Sequence, residues 1–197
     1  MNKLMNLDLI NIELAKSAFV GGDSVAESCV NIAEPVWHQK NLRKGRISEK
    51  YATYSITKCV ENRRRVLNQE PLPQIILDSI NFLRGKNELR LLAFCIMPDH
   101  LHLLFCLTTH EPLSELLQRM FRYTTLTINK CLKRSGSFWQ DGFFDHRCRD
   151  AEDIFERAEY IERNPVRAEL VKQASDWRYS SAHFSRKEML DRSWFFG

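Results

Sequence analysis

The sequence has few glycines and prolines, and it has no long run of apolar residues. Seven Gly and six Pro among 197 residues exclude collagen-like and low-complexity proteins. No segment approaches the roughly 18 consecutive apolar residues that a membrane span requires. The first residues carry acids within their apolar stretch and make a poor export signal. These absences predict a cytoplasmic globular protein with no membrane contact.

Paired cysteine motifs are also missing. The six cysteines lie far apart, and none forms a CxxC pair of the kind that binds zinc or exchanges disulfides. Cys95 and Cys106 lie in apolar runs, so we expect them to be small core residues.

Positive charge, by contrast, is concentrated in the middle of the chain. The net charge is only +4, but residues 40–65 hold nine basic and two acidic groups, and residues 119–149 hold seven and two. A cationic surface built from two separate segments is typical of a protein that binds a phosphate backbone. A solvated loop gives the same count, so the pattern needs chemical support.

The alternation of apolar segments predicts one main domain with two appendages. Residues 1–44 form an N-terminal extension to which the sequence assigns no role, and residues 185–197 form a C-terminal tail. Between them, residues 45–184 show the order strand, helix, strand, strand, helix, strand, helix. The last helix is expected to stop before Pro165. This order predicts an α+β, ferredoxin-like (split βαβ) sandwich with an antiparallel sheet and an extra C-terminal helix.

Two histidines open the third predicted strand, directly after a tight Pro98-Asp99 turn. The period of two places His100 and His102 on the same face, and two neutral imidazoles suit a divalent metal. A structural histidine pair is the more common alternative for a lone HxH motif.

Tyr160 lies in the last predicted helix, away from its apolar stripe. At about 100° per residue it points toward the side that carries Arg157 and Asn164. The Asn164 amide, four residues on, could supply a metal ligand next to a tyrosine nucleophile. An ordinary surface tyrosine and a helix-ending asparagine remain the alternative.

Four motifs together resemble the REP-associated tyrosine transposases, which are single-tyrosine HUH transposases. In chain order they are MPDHLHLL (97–104), FWQDGFFDHRCRD (138–150), AEYIERNPVRAELV (158–171) and DWRYSSA (176–182). The resemblance covers about residues 46–184. It implies a nuclease that cuts and rejoins single-stranded DNA beside short hairpins.

The resemblance also implies roles for particular residues. His100 and His102 match the family's metal pair, Tyr160 its nucleophile and Asn164 the polar residue that completes the metal site, with Mg²⁺ or Mn²⁺ as the ion. A phenol has an ordinary pKa of about 10, so it needs help to ionise, and a metal ion supplies that help while it neutralises the phosphate. The implied intermediate is a 5′-phosphotyrosine.

Basic and aromatic side chains are the candidate DNA contacts, although the mixed aromatic and polar residues before the last helix, Trp139 among them, either pack the core or hold DNA. His146 could be a further metal neighbour or an acid/base, but the resemblance marks only its position and does not decide its role. The predicted DNA-binding residues are Arg43, Lys44, Arg46, Arg63, Arg64, Arg65, Arg119, Arg122, Trp139, Arg147, Arg157 and Arg167.

Four residues at three sites depart from the family pattern, and several alternatives stay open. Asp99 stands where Asn is frequent, Glu169 where Gly is usual, and Arg178-Tyr179 where Pro-Trp is common. The main rival function is a domesticated hairpin-binding protein without cleavage activity, and a second is an RNA-binding module. Homodimer and monomer are both compatible with the sequence, and a DNA substrate implies association with the nucleoid.

Overall fold

The computed structural model of the protein describes residues 48–196. The N-terminal extension and the predicted DNA contacts Arg43, Lys44 and Arg46 lie outside the described residues. Within the described part, no helix has both the length and the apolar character that crossing a bilayer would require.

Four antiparallel strands form one sheet, in the spatial order β2-β3-β1-β4. The two central strands, β3 and β1, hydrogen-bond on both sides. This order confirms the predicted ferredoxin-like topology. The strands are β1 (Thr53–Cys59), β2 (Leu89–Ile96), β3 (His100–Leu107) and β4 (Phe144–Arg147).

Three main helices complete the fold. They are α1 (Leu72–Gly85), α2 (Leu113–Cys131) and α3 (Ala151–Arg167), and a short α4 (Ser193–Phe196) follows near the C-terminus. Proline stands in the first turn of α1, where a missing N–H costs no intrahelical bond. Asp150 caps α3, because its side chain accepts a hydrogen bond from the Asp153 N–H at 2.9 Å.

The helices cover both faces of the sheet. Along β3, Leu101, Leu103 and Phe105 belong to the main core, which α1 and α2 complete. The alternate residue Leu104 belongs to a second cluster with Ile161 of α3. Because side chains alternate along a strand, His100 and His102 share the Leu104 face and therefore face α3. Cys95 and Cys106 are fully buried, as predicted.

The end of α3 differs from its prediction. The helix does not stop before Pro165 but continues to Arg167, with Pro165 buried inside it. Proline removes one intrahelical hydrogen bond, that of its own nitrogen. Here the loss falls in the last turn, and that turn is closed by bonds from Glu169 N–H to the Val166 carbonyl and from Leu170 N–H to the Pro165 carbonyl, both 2.9 Å.

The segment after α3 runs along the outer edge of β2. Its backbone donates from Ser181 N–H to the Phe94 carbonyl and from Asp191 N–H to the Leu91 carbonyl, and it accepts from Ile96 N–H at the Tyr179 carbonyl. The described part of the predicted tail is therefore bonded to the sheet at Asp191.

Candidate active site

His100 and His102 lie side by side on the central strand, under α3. They are 9% and 3% exposed, and their Nε2 atoms are 3.0 Å apart. The turn that precedes them is closed by a hydrogen bond from Met97 N–H to the His100 carbonyl. Strand geometry thus turns both imidazoles in the same direction and fixes them rigidly.

Each imidazole is held from behind through its other nitrogen. The Nδ1 of His100 is 2.7 Å from Asp99 Oδ1, and the Nδ1 of His102 is 2.9 Å from Thr57 Oγ1, its cross-strand neighbour on β1. An Nδ1–H that donates to such a partner leaves Nε2 with a lone pair. Both lone pairs then point into one small space.

Burial and neighbouring charges set the protonation states of His102 and Asp99. Burial, and then the neighbouring His100, lower the pKa of His102 well below its usual range, so its ring is neutral at pH 7. Burial acts to raise the pKa of Asp99, but the hydrogen bond and charge of His100 and the nearby Arg63 outweigh it and leave that pKa lowered. Arg63 Nε lies 3.0 Å from Asp99 Oδ2.

The spacing of the two nitrogens fits a divalent ion. Two ligands about 2.1 Å from one ion, at a right angle to each other, are themselves about 3 Å apart, which is the octahedral geometry that Mg²⁺ prefers. The observed separation is 3.0 Å. Two buried lone pairs at this distance repel one another unless a cation or proton lies between them. His100 and His102 could therefore hold a metal ion.

Tyr160 of α3 reaches the histidines of its own chain. Its ring centre lies 6.0 Å from that of His102, with the ring planes at 83°. The side chain is 37% exposed, in keeping with its position off the apolar stripe. The Arg167 guanidinium carbon lies 5.0 Å from the centre of the Tyr160 ring. The tyrosine therefore stands between the buried histidine pair and an arginine.

Asn164 follows Tyr160 by one turn and is half-buried. Its Nδ2 donates a hydrogen bond to the Tyr160 carbonyl oxygen at 2.8 Å. This bond commits the amide nitrogen and leaves the amide oxygen for another partner, which is the atom that a metal ligand requires.

His146 belongs to a second cluster of donor atoms on the same face of the sheet. The ligand atoms of His146, Cys148 and Asp153 all lie within 4.8 Å of one another, so this group could also hold a metal ion. Asp153, however, already accepts hydrogen bonds from His146 and from the Arg149 N–H.

The predicted DNA contacts fall into separate regions. Arg63, Arg157 and Arg167 lie beside the histidine pair or on the Tyr160 helix. Arg119 and Arg122 belong to α2, on the opposite face of the sheet, where Arg119 is paired with Glu88 and Glu111.

The other arginines are held in different ways. Arg147 forms a two-pronged ion pair with Glu49, Arg64 is half-buried near the Phe138 ring, and Arg65 is exposed.

The prediction that Trp139 contacts DNA needs correction. The structure places it in the core, 4% exposed, with its indole N–H bonded to Thr124 Oγ1 at 2.9 Å and its ring against Phe121 and Phe138. A ring enclosed in this way has no face for base stacking.

Thr57 and Asp153 did not emerge from the sequence as site residues. For Thr57 a signal existed, because it lies on β1 in a polar row with Thr53 and Ser55, alternating with the apolar Tyr54 and Ile56. For Asp153 the only signal was a position in the first turn of a helix, which usually indicates capping.

Comparison with known proteins identifies the family of the chain. The family model described as "Transposase IS200 like" matches residues 48–164, more than half of the chain. A REP-associated tyrosine transposase of Haemophilus influenzae is 33% identical over 113 residues, and the matched part spans 52% of this chain and 64% of that relative. The REP-associated tyrosine transposase of Escherichia coli K12 is 26% identical, over 68% of this chain and 78% of its own length.

A solved structure shows the same fold. A REP-associated tyrosine transposase bound to a REP hairpin superposes with a TM-score of 0.61 at 24% identity, over 70% of this chain and 81% of the other. The fold and the family match agree, and the chain belongs to the IS200-like transposase family.

Proposed function

We propose that this protein is a metal-dependent strand transferase, which cleaves and rejoins single-stranded DNA beside hairpins with Tyr160 as the nucleophile. One observation carries the proposal: the Tyr160 ring meets the buried His100/His102 pair within one chain, at 6.0 Å between the Tyr160 and His102 ring centres. A surface tyrosine with no role has no physical reason to stand over two converging imidazole nitrogens.

The relatives favour a hairpin substrate. Two of them are REP-associated tyrosine transposases, and the matching structure is bound to a REP hairpin. By analogy with these relatives, we infer that the substrate of this chain is a repetitive DNA hairpin of its own genome. Such a substrate also implies that the protein acts at the nucleoid.

The covalent step uses the phenol oxygen of Tyr160. That oxygen attacks the phosphorus and gives up its proton, and the bond from phosphorus to the 3′ oxygen breaks as the tyrosine–phosphorus bond forms. The leaving 3′ oxygen takes up a proton and departs as a hydroxyl. The DNA end stays on the protein as a 5′-phosphotyrosine, so rejoining to another 3′-hydroxyl needs no nucleotide cofactor.

His100, His102 and the Asn164 amide oxygen are the groups that would hold the ion. A divalent ion supplies charge neutralisation at a phosphate oxygen and favours ionisation of a nearby hydroxyl. Mg²⁺ prefers oxygen ligands, whereas imidazole also suits Mn²⁺, so both ions belong in the assay. Arg157 and Arg167 lie on the same helix as Tyr160 and supply positive charge where the DNA backbone must approach.

The decisive experiment is cleavage of labelled single-stranded DNA that carries the repetitive hairpins of the source genome. With Mg²⁺ or Mn²⁺, we expect the wild type to form a covalent protein–DNA adduct, and a chelator or Tyr160→Phe to abolish it. Tyr123→Phe is the matched control, because Tyr123 is 54% exposed on α2, on the far face of the sheet.

Tight hairpin binding without an adduct under either ion would contradict the proposal. That outcome favours the domesticated hairpin-binding protein, and the roles of Tyr160, His100 and His102 would then be withdrawn. An adduct that persists in Tyr160→Phe would instead move the nucleophile to another residue.

A further inference from the structure

A buried contact joins the edge strand β4 to the first turn of the tyrosine helix. His146 Nε2 lies 2.9 Å from Asp153 Oδ2 and 3.1 Å from Oδ1. The side chain of Asp153 is only 5% exposed and that of His146 is 26% exposed. Burial of a carboxylate is costly unless the group is paired and hydrogen-bonded, as Asp153 is here, so loss of His146 would leave a buried charge without its partner.

Asp153 is held by donors from several directions. It accepts from the Arg149 N–H at 3.1 Å, and Arg157 Nε lies 3.5 Å from its Oδ1. The hydrogen bond from His146, above all, holds the pKa of Asp153 well below its usual range. The carboxylate is therefore charged at neutral pH and locks the helix start to β4.

Asp153 and Tyr160 lie on one stripe of α3. Seven residues turn a helix through about 700°, so their side chains point within about 20° of each other, and they are separated by about 10 Å along the axis. Arg157 and Asn164 fall on the same stripe. Fixing Asp153 against the sheet therefore fixes the rotation of the helix, and with it the direction of Tyr160.

We propose that His146 and Asp153 form a positioning pair, which sets the place of Tyr160 relative to His100 and His102. The effect of this pair on cleavage rests on the proposed function. The placement of the Tyr160 ring by the pair does not depend on cleavage. It gives His146 a role through Asp153 and α3 rather than as a metal neighbour or an acid/base.

A direct hydrogen bond explains this cluster better than a second metal ion does. The Asp153 carboxylate already serves His146, Arg149 and Arg157. A metal clasp here would have to displace bonds that are already made.

The position of Tyr160 can be measured without DNA. In protein labelled with 3-fluorotyrosine, the Tyr160 signal is identified by its loss in Tyr160→Phe. The first readout is paramagnetic broadening: Mn²⁺ bound at the histidine pair broadens the fluorine signals of nearby tyrosines, and the effect falls steeply with distance. The second readout is the fluorine chemical shift of Tyr160 without metal, which reports the contact of its ring with His102. We expect His146→Ala and Asp153→Asn to weaken the broadening and move the metal-free shift, while Mn²⁺ affinity stays within about threefold of the wild type.

Kinetics give a third readout. We expect adduct formation to slow by about 10- to 100-fold in His146→Ala, because small misplacement of a reacting group has effects of this size. Hairpin affinity should not change. His146→Gln places an N–H donor near the former Nε2 and should restore most of the rate. Glu159→Gln is the matched control, because it breaks an exposed ion pair with Arg163 on the same helix.

Three outcomes would overturn the positioning pair. The first is an unchanged Tyr160 shift and broadening in folded His146→Ala and Asp153→Asn. The second is a lowered melting temperature with an unchanged shift, which indicates a purely structural contact. The third is a wild-type shift that moves with chelator or Zn²⁺ only when His146 is present, which indicates a metal clasp.

Failure of the proposed function looks different. If Mn²⁺ does not bind at His100 and His102, or no adduct forms in the wild type, the proposed roles of Tyr160 and the two histidines are wrong. The metal-free shift of Tyr160 still decides whether His146 and Asp153 position the ring.

Discussion

The two imidazoles of the candidate site are oriented by residues that lie behind them, on the side opposite to their Nε2 atoms. Thr57 and Asp99 each hold an Nδ1 atom, so the two Nε2 atoms converge at 3.0 Å. Such outer partners fix the tautomer and the ring direction of a metal ligand. The site therefore depends on β1 and on the turn before β3 as much as on the histidines themselves.

Thr57→Val tests the contribution of the outer hydroxyl. It keeps the shape of the side chain but removes the partner of His102 Nδ1, so we expect Mn²⁺ affinity to fall by about 10-fold or more, the lower end of the range for such partners. Titration of Mn²⁺ followed by electron paramagnetic resonance gives the affinity. Thr53→Val is the control, because Thr53 lies on the same face of β1 opposite Cys106. Equal effects of both variants would refute an orienting role for Thr57.

Sequence reasoning at this scale succeeded where position follows from periodicity. The period of two placed His100 and His102 on one face, and the helical period placed Tyr160 off the apolar stripe. Trp139 shows the limit, because an aromatic residue in a segment that mixes aromatic and polar side chains fits a DNA surface and a core equally well. Only the packing of α2, which supplies Phe121 and Thr124, decides that it is buried.

The tyrosine helix ends in a strained conformation. Glu169 has a φ of 55°, in the left-handed region, at the position where the helix-closing motif usually carries glycine. The sequence comparison with the family pattern had already singled out this residue. The structure adds the reason, since the two closing hydrogen bonds require that backbone geometry.

Glu169→Gly should therefore stabilise the protein by about 1 kcal/mol, because it removes the left-handed penalty of a side chain. Urea denaturation measures the difference. Ala168→Gly is the control, since Ala168 has a φ of −88° and gains nothing from glycine there. We expect this control to lose a few tenths of a kcal/mol through greater freedom of the unfolded chain.

The secondary structure was largely predictable, and its errors have a common cause. The sheet, the Pro98-Asp99 turn and the three helices follow from local patterns and lie where the sequence predicts. The predicted end of α3 was wrong because the rule that a proline stops a helix considers only local steric clashes. Burial of Pro165 and closure of the last turn are tertiary effects that this rule omits.

At the scale of the molecule, Asp191 ties the C-terminal segment to α1 and β2. Its carboxylate forms a two-pronged ion pair with Arg84 at 2.9 Å and accepts from the Leu91 N–H at 2.8 Å. Burial acts to raise the pKa of Asp191, but these hydrogen bonds outweigh burial and leave the pKa lowered. One side chain thus joins the C-terminal segment to two elements that lie far from it in the sequence.

Asp191→Asn should cost about 2 kcal/mol of unfolding free energy at pH 7, as expected for lost hydrogen bonds to a charged group. Because the folded pKa is lowered, the stabilisation is complete above the unfolded value of about 3.9 and disappears as pH falls through the folded value. Urea denaturation at pH 7 and near pH 3 should show the difference shrinking in acid. A constant difference at both values would mean that the charge contributes nothing.

The two halves of the active site rest on elements of unequal local stability. The histidines belong to a central strand with hydrogen-bonded neighbours on both sides and buried faces above and below. Tyr160 belongs to α3, which packs on one face of the sheet through Ile161 and leaves Phe155 57% exposed. Partial opening of a protein begins at such peripheral elements, while central strands open with the whole molecule. Local opening of α3 would therefore displace Tyr160, while β3 holds His100 and His102 in place.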